Sequence, residues 1–213
     1  MRELVALQAL SEAYYRSYYF QSEKVIRMVE MLAEQSKFSD HKRIAANLLD
    51  KFRKDAPTAA VPRFELPDVE KQLVTLDQFK GKWVYLSFVR VSDPVCMGEV
   101  ETMAHFYDTI ARDSNHVAFV TIVCDREFQK MYHLLRNSRK GGRYRWTWLH
   151  FDGNYKLLEQ YRVASFPTFI LINPKGEKQY SVTPAPSTGF LLSAPWRRND
   201  TGVEKKRFFL NEY

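Results

Sequence analysis

The run Val84-Tyr-Leu-Ser-Phe-Val89 passes through Arg90-Val-Ser-Asp93 into Pro94-Val-Cys96-Met-Gly-Glu99, an apolar strand leading directly into a helix start. Asp at an N-cap and Pro at the first helical position both favour that start, because the carboxylate accepts a free backbone N–H and proline has none to leave unpaired. Cys96 then falls in the first turn, where unpaired N–H groups and the helix dipole favour a thiolate. The segment is therefore the first place to look for chemistry.

Strands and helices alternate on either side of it. Strands are expected near Phe64, at 73–75, 83–89, 117–124 and 147–151, then at 168–172 and 178–182, with helices at 95–111, 128–137 and around 157–161. Asn173-Pro-Lys-Gly176 joins the last two strands as a tight turn with glycine available for a positive φ. Strand, helix, strand and then a hairpin implies a central mixed β-sheet flanked by helices, an α/β fold.

The first 54 residues read differently. Leu4, Leu7, Leu10, Tyr14, Tyr18, Val25 and Leu32 recur at helical spacing, broken around Gln21 and Ser22, which predicts two helices or one kinked helix. Ser39 or Asp40 caps a further helix with Ile44, Leu48, Leu49 and Phe52 on its apolar face. The aromatic group Tyr14-Tyr15-Arg-Ser-Tyr18-Tyr19-Phe20 is too broad for one narrow stripe and suits packing on two sides, or a contact with a second copy or another partner. Asp55-Ala-Pro-Thr-Ala-Ala-Val-Pro62 has linker composition, because proline disfavours helix at its own and the preceding position. The expected organisation is an N-terminal helical segment 1–54, a linker 55–62 and a domain 63–213.

Composition narrows the function. Cys96 and Cys124 are the only cysteines in 213 residues, too few for a disulfide scaffold, and the five histidines form no ligand pair, so no metal and no cofactor is expected. No apolar run approaches the roughly 20 residues needed to cross a bilayer, and no signal peptide is visible at Met1-Arg-Glu-Leu-Val. The net charge of +7 concentrates at Arg136 to Arg145 beside Trp146 and Trp148, and again at Lys205 to Arg207. No nucleic-acid motif accompanies these groups, so they are read as a solvated loop and tail and no nucleic-acid partner is expected.

Two stretches carry a family resemblance. Phe64-Glu-Leu-Pro-Asp with Leu73-Val-Thr-Leu-Asp-Gln-Phe-Lys-Gly-Lys-Trp-Val-Tyr-Leu-Ser-Phe88, and Val163-Ala-Ser-Phe-Pro167-Thr-Phe-Ile-Leu-Ile-Asn-Pro-Lys-Gly176, resemble the thioredoxin fold, and more closely bacterial TlpA-type thiol:disulfide oxidoreductases and AhpC/TSA proteins. The resemblance covers about residues 57–185. It implies a cis Phe166-Pro167 bond facing Cys96, with Phe166 and Pro167 forming a groove for an extended peptide. It also implies protein or peptide thiols and disulfides as partners, and a periplasmic or cell-envelope setting.

The departures matter equally. Where the family shows Cys-x-x-Cys, this chain has Asp93-Pro-Val-Cys96, so the attacking thiol is absent and ordinary dithiol exchange is closed. Asp93-Pro-Val-Cys-Met-Gly-Glu99 also resembles the peroxiredoxin Thr-Pro-Val-Cys-Thr-Thr-Glu motif, with Cys96 as peroxidatic nucleophile and Asp93 and Glu99 beside it. Asp93 in place of threonine supplies no donor, however, and raises the pKa of a neighbouring thiol. Cys124, at the end of the strand Val117-Ala-Phe-Val-Thr-Ile-Val-Cys124, reads as core, with resolving thiol as its alternative role. Two classes stand open: thiol redox chemistry through Cys96, as oxidoreductase or peroxidase, and a non-catalytic thioredoxin-like module that binds a partner in the cis-proline groove.

Overall fold

The computed structural model describes residues 2–16, 22–55, 60–111, 116–139, 142–180 and 182–198. Three helices come first, α1 (Arg2–Arg16), α2 (Ser22–Gln35) and α3 (Ser39–Asp55). They bury Leu7, Tyr14, Val25, Val29, Ala45 and Phe52 against one another. The Tyr14 ring stacks on Phe52 at 3.9 Å, and its hydroxyl donates to the Phe52 carbonyl at 2.9 Å. Ala45, Leu48, Leu49 and Phe52 make the inward arc of α3 at i, i+3, i+4 and i+7, which turns Ile44 outward, contrary to the sequence expectation. Tyr18, Tyr19 and Phe20 lie outside the described residues.

Glu3 ties the start of α1 to the α2–α3 corner. Its carboxylate accepts the Ser36 hydroxyl and a hydrogen bond from His41 Nδ1, both at 2.6 Å, and these bonds hold its pKa below the usual carboxylate value. A depressed folded-state pKa means that the contribution is complete above the ordinary value of 4.5 and is lost as pH falls through the lower, folded value. Glu3→Gln is therefore expected to be less stable than wild type near neutral pH, with the difference shrinking as acid protonates Glu3 in the wild type. Thermal melts taken from pH 6 downward check this: the two melting temperatures should differ most at pH 6 and draw together as the pH falls below 4.5.

The second part is built on a four-stranded sheet in which Thr147–His150, Val117–Val123, Trp83–Val89 and Thr168–Ile172 lie side by side in that order. Its strands are β3 (Trp83–Val89), β4 (Val117–Val123), β5 (Thr147–His150) and β6 (Thr168–Ile172); β3, β4 and β5 run parallel and β6 runs antiparallel to β3. A small hairpin of β1 (Glu65–Pro67) and β2 (Leu73–Thr75) precedes it, and the 3-10 turn Leu76–Phe79 leads on to β3. The linking helices are α4 (Pro94–Ala111), α5 (Phe128–Arg139) and α6 (Tyr155–Gln160).

Alternation along β3 divides the core between two layers. Val84, Leu86 and Phe88 pack with Phe64 and Leu66 of the hairpin region and with Leu157 of α6 and Tyr161 just after it. Tyr85 and Val89 pack on the opposite face with Val100 and Met103 of α4 and Met131 and Leu135 of α5. This second face also buries Ser87 and Thr121, which satisfy each other at 2.8 Å while Thr121 accepts the Trp146 indole N–H at 2.8 Å. The result is the helix-flanked mixed sheet that the residue pattern predicts.

Two elements differ from expectation. The strand predicted at 178–182 is reduced to isolated bridges, Ile172 to Lys178 and Ala60 to Glu177. The Leu171 N–H is instead taken by the buried Thr183 hydroxyl at 2.8 Å, so a side chain ends the ladder where a strand would have continued it. The tight turn itself forms, with Gly176 at φ 83° and its N–H bonded to the Asn173 carbonyl at 2.9 Å. Past Pro184 there is a four-residue helix, α7 (Phe190–Ser193), flanked by 3-10 turns at Pro186–Thr188 and Pro195–Arg198. Phe190, Leu191 and Trp196 cover Tyr85 and Phe119.

Candidate functional site

The parallel strands bring the ends of β3 and β4 to one edge of the sheet, beside the start of α4 and the segment before β6. Asp93 caps α4: its Oδ1 accepts the Val95 N–H at 2.8 Å and its carbonyl accepts the Met97 N–H at 3.0 Å. Cys96 is one turn in and fully buried, with 0% exposure. Burial pushes its thiol pKa up, and the Asp93 and Asp125 carboxylates push the same way, against a backbone hydrogen bond at Arg90 that favours the thiolate. The activation expected from the helix start is thus outweighed by desolvation and two neighbouring negative charges.

Cys124 follows the last residue of β4, with its N–H donating to the Val89 carbonyl at 2.7 Å. It is 5% exposed, and burial pushes its thiol pKa to about 12. Both cysteines are free thiols. Each senses the same local charges: Asp125 raises both, and ionised Cys96 further raises Cys124.

The Phe166-Pro167 peptide bond is cis. Phe166 is half-buried and contacts both core layers, which fixes the start of the segment next to the sheet edge. Arg90, the first residue after β3, is exposed and lays its guanidinium over the Phe166 ring at 4.4 Å from the centroid. The ring contact sets the direction of this side chain.

Asp125 organises the loop between β3 and α4 and was not singled out in the sequence. Its carboxylate accepts the Val91 N–H and the Ser92 hydroxyl, each at 2.6 Å, and Lys130 lies 3.4 Å from Oδ1. Its carbonyl accepts from His150 Nε2 at 2.9 Å while His150 Nδ1 accepts the Asp152 N–H at 3.1 Å, which assigns the Nε2–H tautomer to this buried ring. The available signal was a carboxylate directly after an apolar strand, where burial requires compensating donors. Glu99 sits away from the thiol chemistry in its bonding: its two oxygens take the Ser187 N–H at 2.9 Å and the Ser187 hydroxyl at 2.6 Å, pinning the 3-10 turn at 186–188 to α4.

Two arginines of the basic stretch are committed within the protein. Arg143 and the Tyr144 hydroxyl both bond to Glu101 of α4, and Arg145 pairs with Asp108 at 3.1 Å. A cavity of about 310 Å³ beside β5, lined by Val69, Val74, Phe79, Trp146 and Trp148, includes neither cysteine nor the cis-proline segment. Among the described residues, no group of three or more His, Cys, Asp or Glu is placed to hold a metal ion, and no helix is long and apolar enough to cross a membrane.

With this geometry in place, comparison with known proteins defines the kinship. A candidate thiol-disulfide oxidoreductase from Bacteroides vulgatus superposes with a TM-score of 0.56 at 22% identity, covering 66% of this chain and 94% of its own. The thioredoxin domain of a thiol-disulfide oxidoreductase from the same organism gives a TM-score of 0.51 at 22% identity, covering 59% and 86%. A thiol-disulfide oxidoreductase from Bacteroides fragilis gives 0.51 at 18% identity, covering 63% and 98%. At these identities the likeness is one of fold. No curated protein matches the chain. The sequence profile of the AhpC/TSA family matches residues 57–181, and over that span, more than half its length, the chain belongs to the AhpC/TSA family and has a thioredoxin-like fold.

Proposed function

We propose that this protein is a thioredoxin-like binding module that holds an extended protein segment along Phe166 and Pro167 and does not turn over disulfides through Cys96. The observation that carries this reading is the state of the thiol position. Cys96 is fully buried with its pKa raised, and the outer position belongs to Asp93, whose carboxylate is occupied in capping α4. A nucleophilic thiol needs access and a stabilised thiolate, and neither is provided here. The groove requires only the backbone of the cis-proline segment and its supporting ring, and both are present. The helical segment 1–54 and the domain 63–213 act in this reading as two units joined at 55–62, in the cell-envelope setting that the family resemblance implies.

Reduction of insulin disulfides in the presence of dithiothreitol tests it. Wild-type protein is expected to run at the uncatalysed rate, and a rate above background that Cys96→Ser abolishes would overturn the reading in favour of redox turnover. Asp93→Cys supplies the missing outer thiol at a helix N-terminus, where the freed Val95 N–H stabilises a thiolate. That variant is expected to reduce insulin several-fold faster than wild type, which shows that the assay detects this fold when the chemistry is complete.

A further inference from the structure

The binding reading leaves open what kind of segment the groove takes, and the charges around it discriminate. Asp93, Asp125, Lys130 and Arg90 are four of the ionisable side chains around the loops at this sheet edge, and the first three are already engaged. Asp93 holds the Val95 N–H, Asp125 holds the Val91 N–H and the Ser92 hydroxyl, and Lys130 lies against Asp125 and Glu127 at 3.4 and 3.0 Å. The fourth, Arg90, forms no ion pair among the described residues. It is exposed, and its guanidinium carbon lies 4.4 Å from the ring centroid of Phe166, the residue directly before cis-Pro167.

A guanidinium directs its N–H groups outward in its own plane, so that with one side covered by a ring its edge still matches the two oxygens of a carboxylate. Because the stack already fixes the side chain, less rotamer entropy is lost when a carboxylate arrives. Arg126, also exposed and at the end of the sheet where β4 terminates, adds positive potential of the same sign. The whole chain carries +7, so an acidic partner is favoured at long range as well as at contact.

We propose that Arg90 selects acidic partners: its guanidinium, laid on Phe166, binds a carboxylate of an extended peptide seated along the cis-proline segment. This rests on the groove-binding reading and adds a partner class to it. A carboxylate next to the Phe166 backbone position would be taken by the guanidinium edge, while a neutral side chain there would leave the guanidinium hydrated as it is in the free protein.

The test uses the 15N-labelled full chain and two capped heptapeptides of alternating serine and valine that differ only in a central Glu or Gln. Titrations at low salt follow the amides of Ser165, Phe166 and Thr168 and the Arg90 Nε–H by NMR. The Glu peptide is expected to bind about fivefold more tightly than the Gln peptide, the range of an exposed, well-oriented ion pair, and to move the Arg90 Nε–H resonance. Arg90→Gln should remove that preference, so that the two peptides bind it within about twofold of each other, while Arg90→Lys should retain only part of the preference. Equal binding of both peptides, with the 165–168 amides shifting, overturns the role of Arg90 and leaves the groove reading intact. No shift of those amides with either peptide overturns the groove reading, and the acidic preference with it.

Discussion

Iodoacetamide at pH 8 is expected to modify Cys124 of the native protein about 1000-fold more slowly than the same residue in urea, because a rise in pKa from 9.0 to about 12 lowers the thiolate fraction by about three powers of ten. Burial at 5% exposure limits access as well and acts in the same direction while the fold stays closed. Cys96 is expected to be slowed in the same direction, since burial and the Asp93 and Asp125 charges all oppose its thiolate. Mass spectrometry of quenched time points separates the two sites. Modification of native Cys96 at the unfolded rate or faster would show an activated thiol and reopen peroxidatic or oxidoreductase chemistry. Hydrogen peroxide in place of the alkylating reagent extends the same comparison: a mass loss of one disulfide's hydrogens joining Cys96 to Cys124 would identify Cys124 as the resolving thiol.

The second large effect concerns stability. Asp125→Ala removes the buried, 4% exposed carboxylate that accepts the N–H of half-buried Val91 and the hydroxyl of exposed Ser92, and it is expected to cost about 2 kcal/mol, the scale for losing hydrogen bonds to a charged group when the freed donors can reach water. Asp125→Asn keeps one acceptor oxygen and should cost less, roughly half as much on the same scale. Urea denaturation of the three proteins measures this, and the midpoint of Asp125→Ala should fall furthest. The loop from Arg90 to Asp93 is the element released, so faster alkylation of Cys96 in Asp125→Ala than in wild type is the accompanying local sign. An unchanged midpoint would mean that water replaces the carboxylate without loss, and would remove Asp125 as the organiser of the site.

Much of the fold was legible because the signals are local. The apolar run at Val84 to Val89, the cap-and-proline pair Asp93-Pro94 and the turn Asn173 to Gly176 each encode their conformation within a few residues, and the observed elements begin and end close to where those signals sit. The misses occurred where a distant group intervened. The strand expected at 178–182 gave way because the Thr183 hydroxyl, twelve positions along the chain, takes the N–H of Leu171. Ile44 left the apolar face because the helix is rotated to bring Phe52 against Tyr14, 38 positions away.

The candidate site shows the same division. Position and residue type placed Cys96, Asp93, Phe166 and Pro167 at one sheet edge through a family pattern, and the helix start alone argued for an activated thiol. The three-dimensional environment reversed that argument, since desolvation of Cys96 and the approach of Asp125, 29 positions later in the sequence, outweigh the dipole of α4. Sequence by itself determined the order of the elements, the two-layer alternation of the core and the absence of a second thiol at position 93. Only the tertiary structure decided which charges and rings face the site: Asp125 onto the loop, Arg90 onto Phe166, Glu99 onto Ser187. Local pattern follows from backbone and side-chain preferences within a turn or a strand, whereas burial and electrostatics are sums over neighbours that the chain brings together only on folding.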